Sequence, residues 1–351
     1  MTAITSEAKT MSRANALEIL RLALQARFDF KHQLYLIHAV TARCNARCGF
    51  CAWNPEFYEG SDELTTDEIK TLYADAREAG FVALSLWGGE PLLRPDIGEL
   101  LEYAHGLGFV THIVTNGALL ERKLDRVVPH LDRISISLDH PSSHHDTLRG
   151  VKGLYGKILS ATLKIRARYP RKKIVFVYTI QRENADPKTL EEMAQLMKQL
   201  GVSGVFNGLR LEAATDDTTI DLDKYNPSTE ALAGAYATLR DLKRRGYPIV
   251  NSFTHIDKMM DLPMHYRCHW PKYMLPIEAN GDVVDCMHWG QRPIANLRST
   301  PLARVLEHPR LRALAGDAGE ACHKCLSVHR VEISEICQGN FEPLASWAQV
   351  R

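Results

Sequence analysis

Between residues 34 and 209, short apolar runs and longer amphipathic segments take turns along the chain. The runs 34–41, 81–87, 109–115, 133–138, 173–180 and 202–209 are rich in Val, Ile, Leu and aromatics, as buried strands are. Segments 65–79, 96–106, 119–131, 155–168 and 187–200 place apolar residues at helical spacing. Gly80, Gly108 and Gly201 stand just past three of these helices, and Thr66 ahead of Asp67 and Glu68 marks a helix start. Strands separated by helices run parallel, because each helix carries the chain back along the sheet. A parallel sheet with right-handed crossovers is either open and doubly wound or curled towards a barrel, and the pattern does not choose.

One more helix, 228–245, closes this region, and Gly246-Tyr247-Pro248 reads as a break. From 251 onward Trp, His, Pro and Cys replace regular periodicity. A chain of 351 residues has room for a second, smaller domain. The expected division is therefore an N-terminal extension at 1–33, an α/β domain at 34–250 and a C-terminal domain at 251–351. In the extension Ala16, Leu17, Leu20, Ala23 and Leu24 mark a docking helix; Arg13, Arg21 and Arg27 give only a modest basic face for a membrane surface. With 43 basic and 42 acidic residues the net charge is +1, which calls for no nucleic acid partner. No run approaches the length of a membrane span and no secretory signal opens the chain, so the expected location is the cytoplasm.

The cysteines fall into two sets: Cys44, Cys48 and Cys51, then Cys268, Cys286, Cys322, Cys325 and Cys337. In a reducing compartment they read as metal or redox ligands rather than disulfides. The first set, C-x3-C-x2-C, follows directly on the first strand. A 4Fe-4S cluster normally takes four thiolates, so three would leave one iron open to a non-protein ligand. Structural zinc and buried thiols are the alternatives; Arg43, Asn45 and Arg47 around the thiols do not suit a core.

The C-x3-C-x2-C spacing, with Phe50 before the third Cys, resembles the radical S-adenosylmethionine (SAM) superfamily. The resemblance implies a partial (β/α)6 barrel with its site at the C-terminal strand ends, and a 4Fe-4S cluster on Cys44, Cys48 and Cys51 whose open iron chelates SAM. Trp87-Gly88-Gly89-Glu90-Pro91 is similar to the family's G-G-E-P element, which implies that Gly88, Gly89 and Glu90 meet the methionine ammonium. Thr115-Asn116-Gly117 ends the third strand, and Asn116 is a candidate contact. Ser135-Ile136-Ser137-Leu138-Asp139 looks like the family's S-L-D-G with His140 in place of Gly, making Ser137 and Asp139 candidates. His145-Asp146-Thr147-Leu148-Arg149-Gly150 resembles an H-D-x-x-R-G segment. The Arg149 guanidinium is a geometric match for the SAM carboxylate. Gln181 and Asn184 are placed for the ribose hydroxyls, and the backbone at Phe50 for the adenine.

Cys268-x12-Gly281-x4-Cys286 and Cys322-x2-Cys325 are similar to the framework of the Twitch domain, a shortened SPASM domain. The implied fold is α+β, with a second, auxiliary 4Fe-4S cluster on Cys268, Cys286, Cys322 and Cys325; a zinc set is the alternative. Residues 278–286 read as a hairpin turning at Asn280-Gly281. Cys337 is a replacement ligand, an inert thiol, or a catalytic hydrogen-atom donor. Among His255, His265, His269, His288 and Trp289 no single residue stands out. The resemblance implies reductive cleavage of SAM to a 5'-deoxyadenosyl radical, with electrons from a reductase such as flavodoxin or ferredoxin. Because 33 residues ahead of the first strand are few for a leader-binding domain, the expected substrate is a small molecule: a sugar, nucleoside or lipid. A peptide maturase is the second reading and a zinc-stabilised binding protein the third.

Overall fold

The computed structural model describes residues 34–51, 62–209, 221–263, 266–284, 293–311, 313 and 325–350. The expected N-terminal helix, Cys286, Cys322, His265, His288 and Trp289 lie outside the described residues. Six parallel strands stand side by side in chain order: β1 (Tyr35–Thr41), β2 (Ala83–Gly88), β3 (Val110–Thr115), β4 (Arg133–Ser137), β5 (Lys173–Ile180) and β6 (Ser203–Gly208). Beyond β1 the same sheet continues through β7 (Met274–Ile277), β8 (Asp282–Val283) and β9 (Ala295–Asn296). The helices between the parallel strands are α1 (Thr66–Glu78), α2 (Ile97–Gly106), α3 (Leu120–Val127), α4 (His144–Arg149), α5 (Leu154–Arg168) and α6 (Pro187–Leu200). After β6 come α7 (Thr229–Arg244), α8 (Phe253–Met260), α9 (Leu302–Leu306), α10 (Val328–Cys337) and α11 (Glu342–Ala348).

The strand order resolves the choice that the sequence left open. A doubly wound sheet reverses direction at a switch point, whereas β1 to β6 advance one neighbour at a time. Successive right-handed crossovers then place the helices on one face, as in a barrel. Strand residues such as Leu36, Leu86, Ile113, Ile134 and Phe176 join one core with Leu72, Leu100, Leu124, Ile158 and Met193 of the helices. On the opposite, concave face, the Ser85 hydroxyl and His112 Nδ1 are 2.9 Å apart and His112 Nε2 lies 2.8 Å from the Ser135 hydroxyl. The C-terminal helices help to fill that face: Val328 of α10 packs with Val175, Val205 and Val350, and Trp347 of α11 rests against them.

Local signals account for the element ends. Thr65, one residue before the expected start, caps α1 in a reciprocal capping box with Glu68. Asp186 caps α6 ahead of Pro187, and Gly201, at φ 63°, ends it in the left-handed conformation. The expected division at 250 is no division of the sheet. β7 runs parallel to β1 in register from Tyr35 with Met274 to His38 with Ile277. It turns into β8 as a hairpin whose Gly281 sits at φ 88°, as the Asn-Gly pair predicts.

Candidate active site

The segment after β1 carries Cys44, Cys48 and Cys51, none in a disulfide. Backbone bonds shape it: Cys51 N donates to the Cys48 carbonyl at 3.1 Å and Arg47 N to the Arg149 carbonyl at 3.0 Å. The Glu63 carboxylate takes the Thr41 hydroxyl at 2.7 Å and Ala42 N at 2.9 Å. Two donors address the sulfurs, Ala46 N at 3.4 Å from Cys44 Sγ and Arg149 Nη1 at 3.8 Å from Cys48 Sγ. Burial pushes both thiols up, and at Cys48 the Arg149 guanidinium works against that push.

The Gly-Gly-Glu element at the end of β2 is pressed against this segment. A Cβ on Gly88, at φ 125°, would stand 2.4 Å from the Thr41 carbonyl oxygen, and one on Gly89 2.2 Å from that of Arg43. The close approach lets Gly89 N donate to the Thr41 carbonyl at 2.9 Å and Glu90 N to that of Arg43 at 2.8 Å. What the glycines admit is the backbone of the cysteine segment itself. Glu90 is fully buried. Its Oε1 accepts from Leu92 N at 3.0 Å and the Thr115 hydroxyl at 2.7 Å, and its Oε2 from Asn116 N at 2.7 Å. That carboxylate ties the end of β2 to β3. Asn116 is likewise engaged, its Nδ2 donating to Asn45 Oδ1 at 2.8 Å and its Oδ1 accepting from Ala118 N at 2.9 Å.

Asp139 is a second buried hub. Its Oδ1 accepts from Thr179 N at 2.9 Å and its Oδ2 from Arg149 Nε at 2.6 Å. Its own N–H donates to His145 Nδ1 at 3.1 Å. That imidazole is neutral, since burial depresses it to about 4. Arg149 therefore arrives with one nitrogen on Asp139 and another beside Cys48, its guanidinium 5.1 Å above the Phe50 ring. A two-pronged grip on a carboxylate by its outer edge, as expected, would have to share Nη1 with the Cys48 sulfur. Asn184 is internal too: Nδ2 donates to the Asp139 and Thr179 carbonyls and Oδ1 accepts from Gln181 N. Gln181 Nε2, by contrast, is buried without a partner, and Ser137 ends β4 half-buried.

Of the second cysteine set, Cys268, Cys325 and Cys337 are described. Cys325 Sγ accepts from Arg330 Nη1 at 3.3 Å, and that guanidinium stacks 4.7 Å over Trp270. His269 N donates to the Ser334 hydroxyl at 2.9 Å, which lays the chain next to Cys268 along α10. Cys268 and Cys337 both pack against the apolar cluster of Leu34, Ile37, Val82, Trp270, Tyr273 and Met274.

Four participants carried no sequence signal. Tyr225 sets its hydroxyl where a Gly49 Cβ would be, 2.0 Å away, and meets Phe50 edge-on at 6.2 Å. Asn45 and Glu63 brace the cysteine segment. Glu278, at the end of β7, carries a carboxyl whose Oε2 is buried with no partner; burial, with Asp282 nearby, pushes it up to about 7.

The donor set fits an iron–sulfur cluster. Three soft sulfurs occupy one short segment, and an amide and a guanidinium point at two of them, the kind of hydrogen bonding that cluster sulfurs receive. Among the described residues no three His, Cys, Asp or Glu side chains converge as a single ion requires.

Residues 38–197 match the profile of the Radical SAM superfamily, and residues 268–326 match SPASM, an iron–sulfur cluster-binding domain. Together the matches cover more than half of the chain. The chain belongs to the radical SAM superfamily. It is an enzyme, and its cofactors are SAM, the 4Fe-4S cluster that binds it, and auxiliary iron–sulfur in the SPASM region. Among solved structures, this radical SAM enzyme is similar in fold to SuiB of Streptococcus suis bound to precursor peptide SuiA, at 17% identity and a TM-score of 0.64. That match covers 97% of this chain and 80% of SuiB. It is also similar to anSMEcpe with bound AdoMet and the Cp18Cys peptide, at 14% identity and a TM-score of 0.61, over 91% of this chain and 99% of that one. Among the described residues no helix is long and apolar enough to cross a membrane.

Proposed function

We propose that this enzyme is a peptide maturase: it reductively cleaves SAM and directs the resulting radical to a C–H bond of a peptide side chain. The small-molecule substrate expected from the sequence gives way to this second reading. The observation that carries it is the likeness along almost the whole chain to an enzyme crystallised with its precursor peptide, and along nine-tenths of it to another with a bound peptide. Bound SAM and its cluster supply a 5'-deoxyadenosyl radical, chemistry that no side chain provides.

This chain's residues divide the remaining work. Cys44, Cys48 and Cys51 hold the cluster. Gly88, Gly89 and Glu90 lock the cysteine segment to β2, and Asn116 locks it to β3 through Asn45. Phe50, Ser137, Gln181 and the outer edge of Arg149 face SAM, with Asp139 holding Arg149 in place. Cys268 and Cys325, with Cys286 and Cys322, hold the auxiliary cluster. The electron comes from a flavodoxin- or ferredoxin-type donor. The test is anaerobic protein with SAM and a low-potential reductant, assayed for 5'-deoxyadenosine by mass spectrometry, with short peptides encoded beside the gene and, separately, sugars and nucleosides. Peptide-stimulated release with a mass change in the peptide supports the reading; stimulation confined to the small molecules defeats it.

A further inference from the structure

We propose that Arg149 sets the reduction potential of the SAM-binding cluster by holding a buried positive charge against the sulfur of Cys48. This rests on the reading above, in which Cys48 is a cluster ligand. The arrangement is built from both ends of the residue. Arg149 is the last residue of α4, and its carbonyl takes Arg47 N at 3.0 Å, so its backbone is tied to the cysteine segment. Its side chain is fixed at Nε by Asp139, 2.6 Å away, and stands over the Phe50 ring at 5.1 Å, which leaves Nη1 at 3.8 Å from Cys48 Sγ. A side chain 11% exposed is poorly screened by salt.

Reduction adds one electron to the cluster and its thiolates, and a cation at a ligand sulfur favours that more negative state. The Asp139 carboxylate opposes this effect. It binds at Nε, however, while Nη1 faces the sulfur, so the cationic edge of the pair is the one turned towards Cys48. The guanidinium thus eases electron entry to a cluster whose task is to pass an electron on. It does so by its charge, a contribution that Lys preserves and Gln does not.

The test is an EPR-monitored redox titration of full-length, cluster-loaded wild type, Arg149→Gln and Arg149→Lys, using the reduced-cluster signal that Cys48→Ala removes. Arg149→Gln should lower the ratio of reduced to oxidised cluster about tenfold at fixed poise, which for a one-electron couple is a fall of about 59 mV. Arg149→Lys should retain most of the wild-type potential, and the Gln shift should persist at high salt. Equal potentials in wild type and Arg149→Gln overturn the inference. So does equal loss of the cluster from both variants, which would mark a purely structural role. Wild-type protein with no Cys48-dependent signal would instead refute the reading of Cys48 as a ligand.

Discussion

Asp139→Asn should cost far more stability than an amide-for-carboxylate exchange usually does. The carboxylate is fully buried, with Oδ2 on Arg149 Nε at 2.6 Å and Oδ1 on Thr179 N at 2.9 Å. An amide has one acceptor oxygen, so its NH2 must face either the guanidinium or the Thr179 N–H, a donor against a donor. Removing one member of a buried ion pair strands the other, at about 3–5 kcal/mol. Urea unfolding of wild type, Asp139→Asn, Arg149→Met and the double variant measures this. The double variant should recover about 1–3 kcal/mol of the summed single losses, because no charge is then left stranded. A single loss under about 1 kcal/mol, or strict additivity in the cycle, would show that the pair is not what holds Arg149 in place.

Gly89→Ala should destabilise by about 3 kcal/mol or more, since its Cβ would stand 2.2 Å from the Arg43 carbonyl and relief separates two backbone hydrogen bonds. Iron loading on Cys44, Cys48 and Cys51 should fall with it, and unfolding curves and iron assays that match wild type would contradict the packing described. Burial holds Glu278 up at about 7 against an ordinary 4.5, so in between the folded protein keeps a proton that the unfolded chain has released. Stability should therefore decline as pH rises from about 4.5 to about 7 and level off above it, and Glu278→Gln should flatten part of that slope. Glu332, also held at about 7 by burial, keeps the remainder. Melting curves of wild type and Glu278→Gln that run parallel from pH 5 to 8 would refute the assignment. Two cubane clusters require about eight irons per chain. Cys48→Ala and Cys268→Ala should each reduce this towards about four, and only the first should abolish SAM cleavage; an unchanged iron count in either variant would remove that residue from its ligand set.

Much of the α/β region was legible because its signals are local. Strand 173–180 and helix 187–200 fall where apolar runs, Asp186, Pro187 and Gly201 place them. The cysteine spacing pointed to its chemistry for the same reason: three ligands within eight residues need no long-range folding to come together. What the motifs did not reveal is whom their residues serve. Glu90 and Asp139 read as ligand contacts, yet each spends both carboxylate oxygens on neighbouring strands and helices, a fact set by side-chain direction rather than by spacing. The helices α8, α10 and α11 went unread, since their buried faces meet the concave side of the sheet and elements distant in sequence. Ser334 binding His269 N is one such contact, and Glu332 accepting Ser252 N at 2.6 Å is another. Tyr225 against Gly49 is a pairing across more than 170 residues, and no local pattern encodes it.

The seam between β1 and β7 has a consequence for how the protein is made. β1 is the strand that delivers the three cluster thiols, yet one of its edges is paired by residues emerging from the ribosome more than 230 positions later. Until then the nascent chain presents an unpaired apolar edge beside three oxidisable sulfurs, the kind of surface that invites misassociation. Metal delivery and chaperone protection should accordingly converge on the interval between synthesis of the cysteine segment and arrival of the strand that seals it.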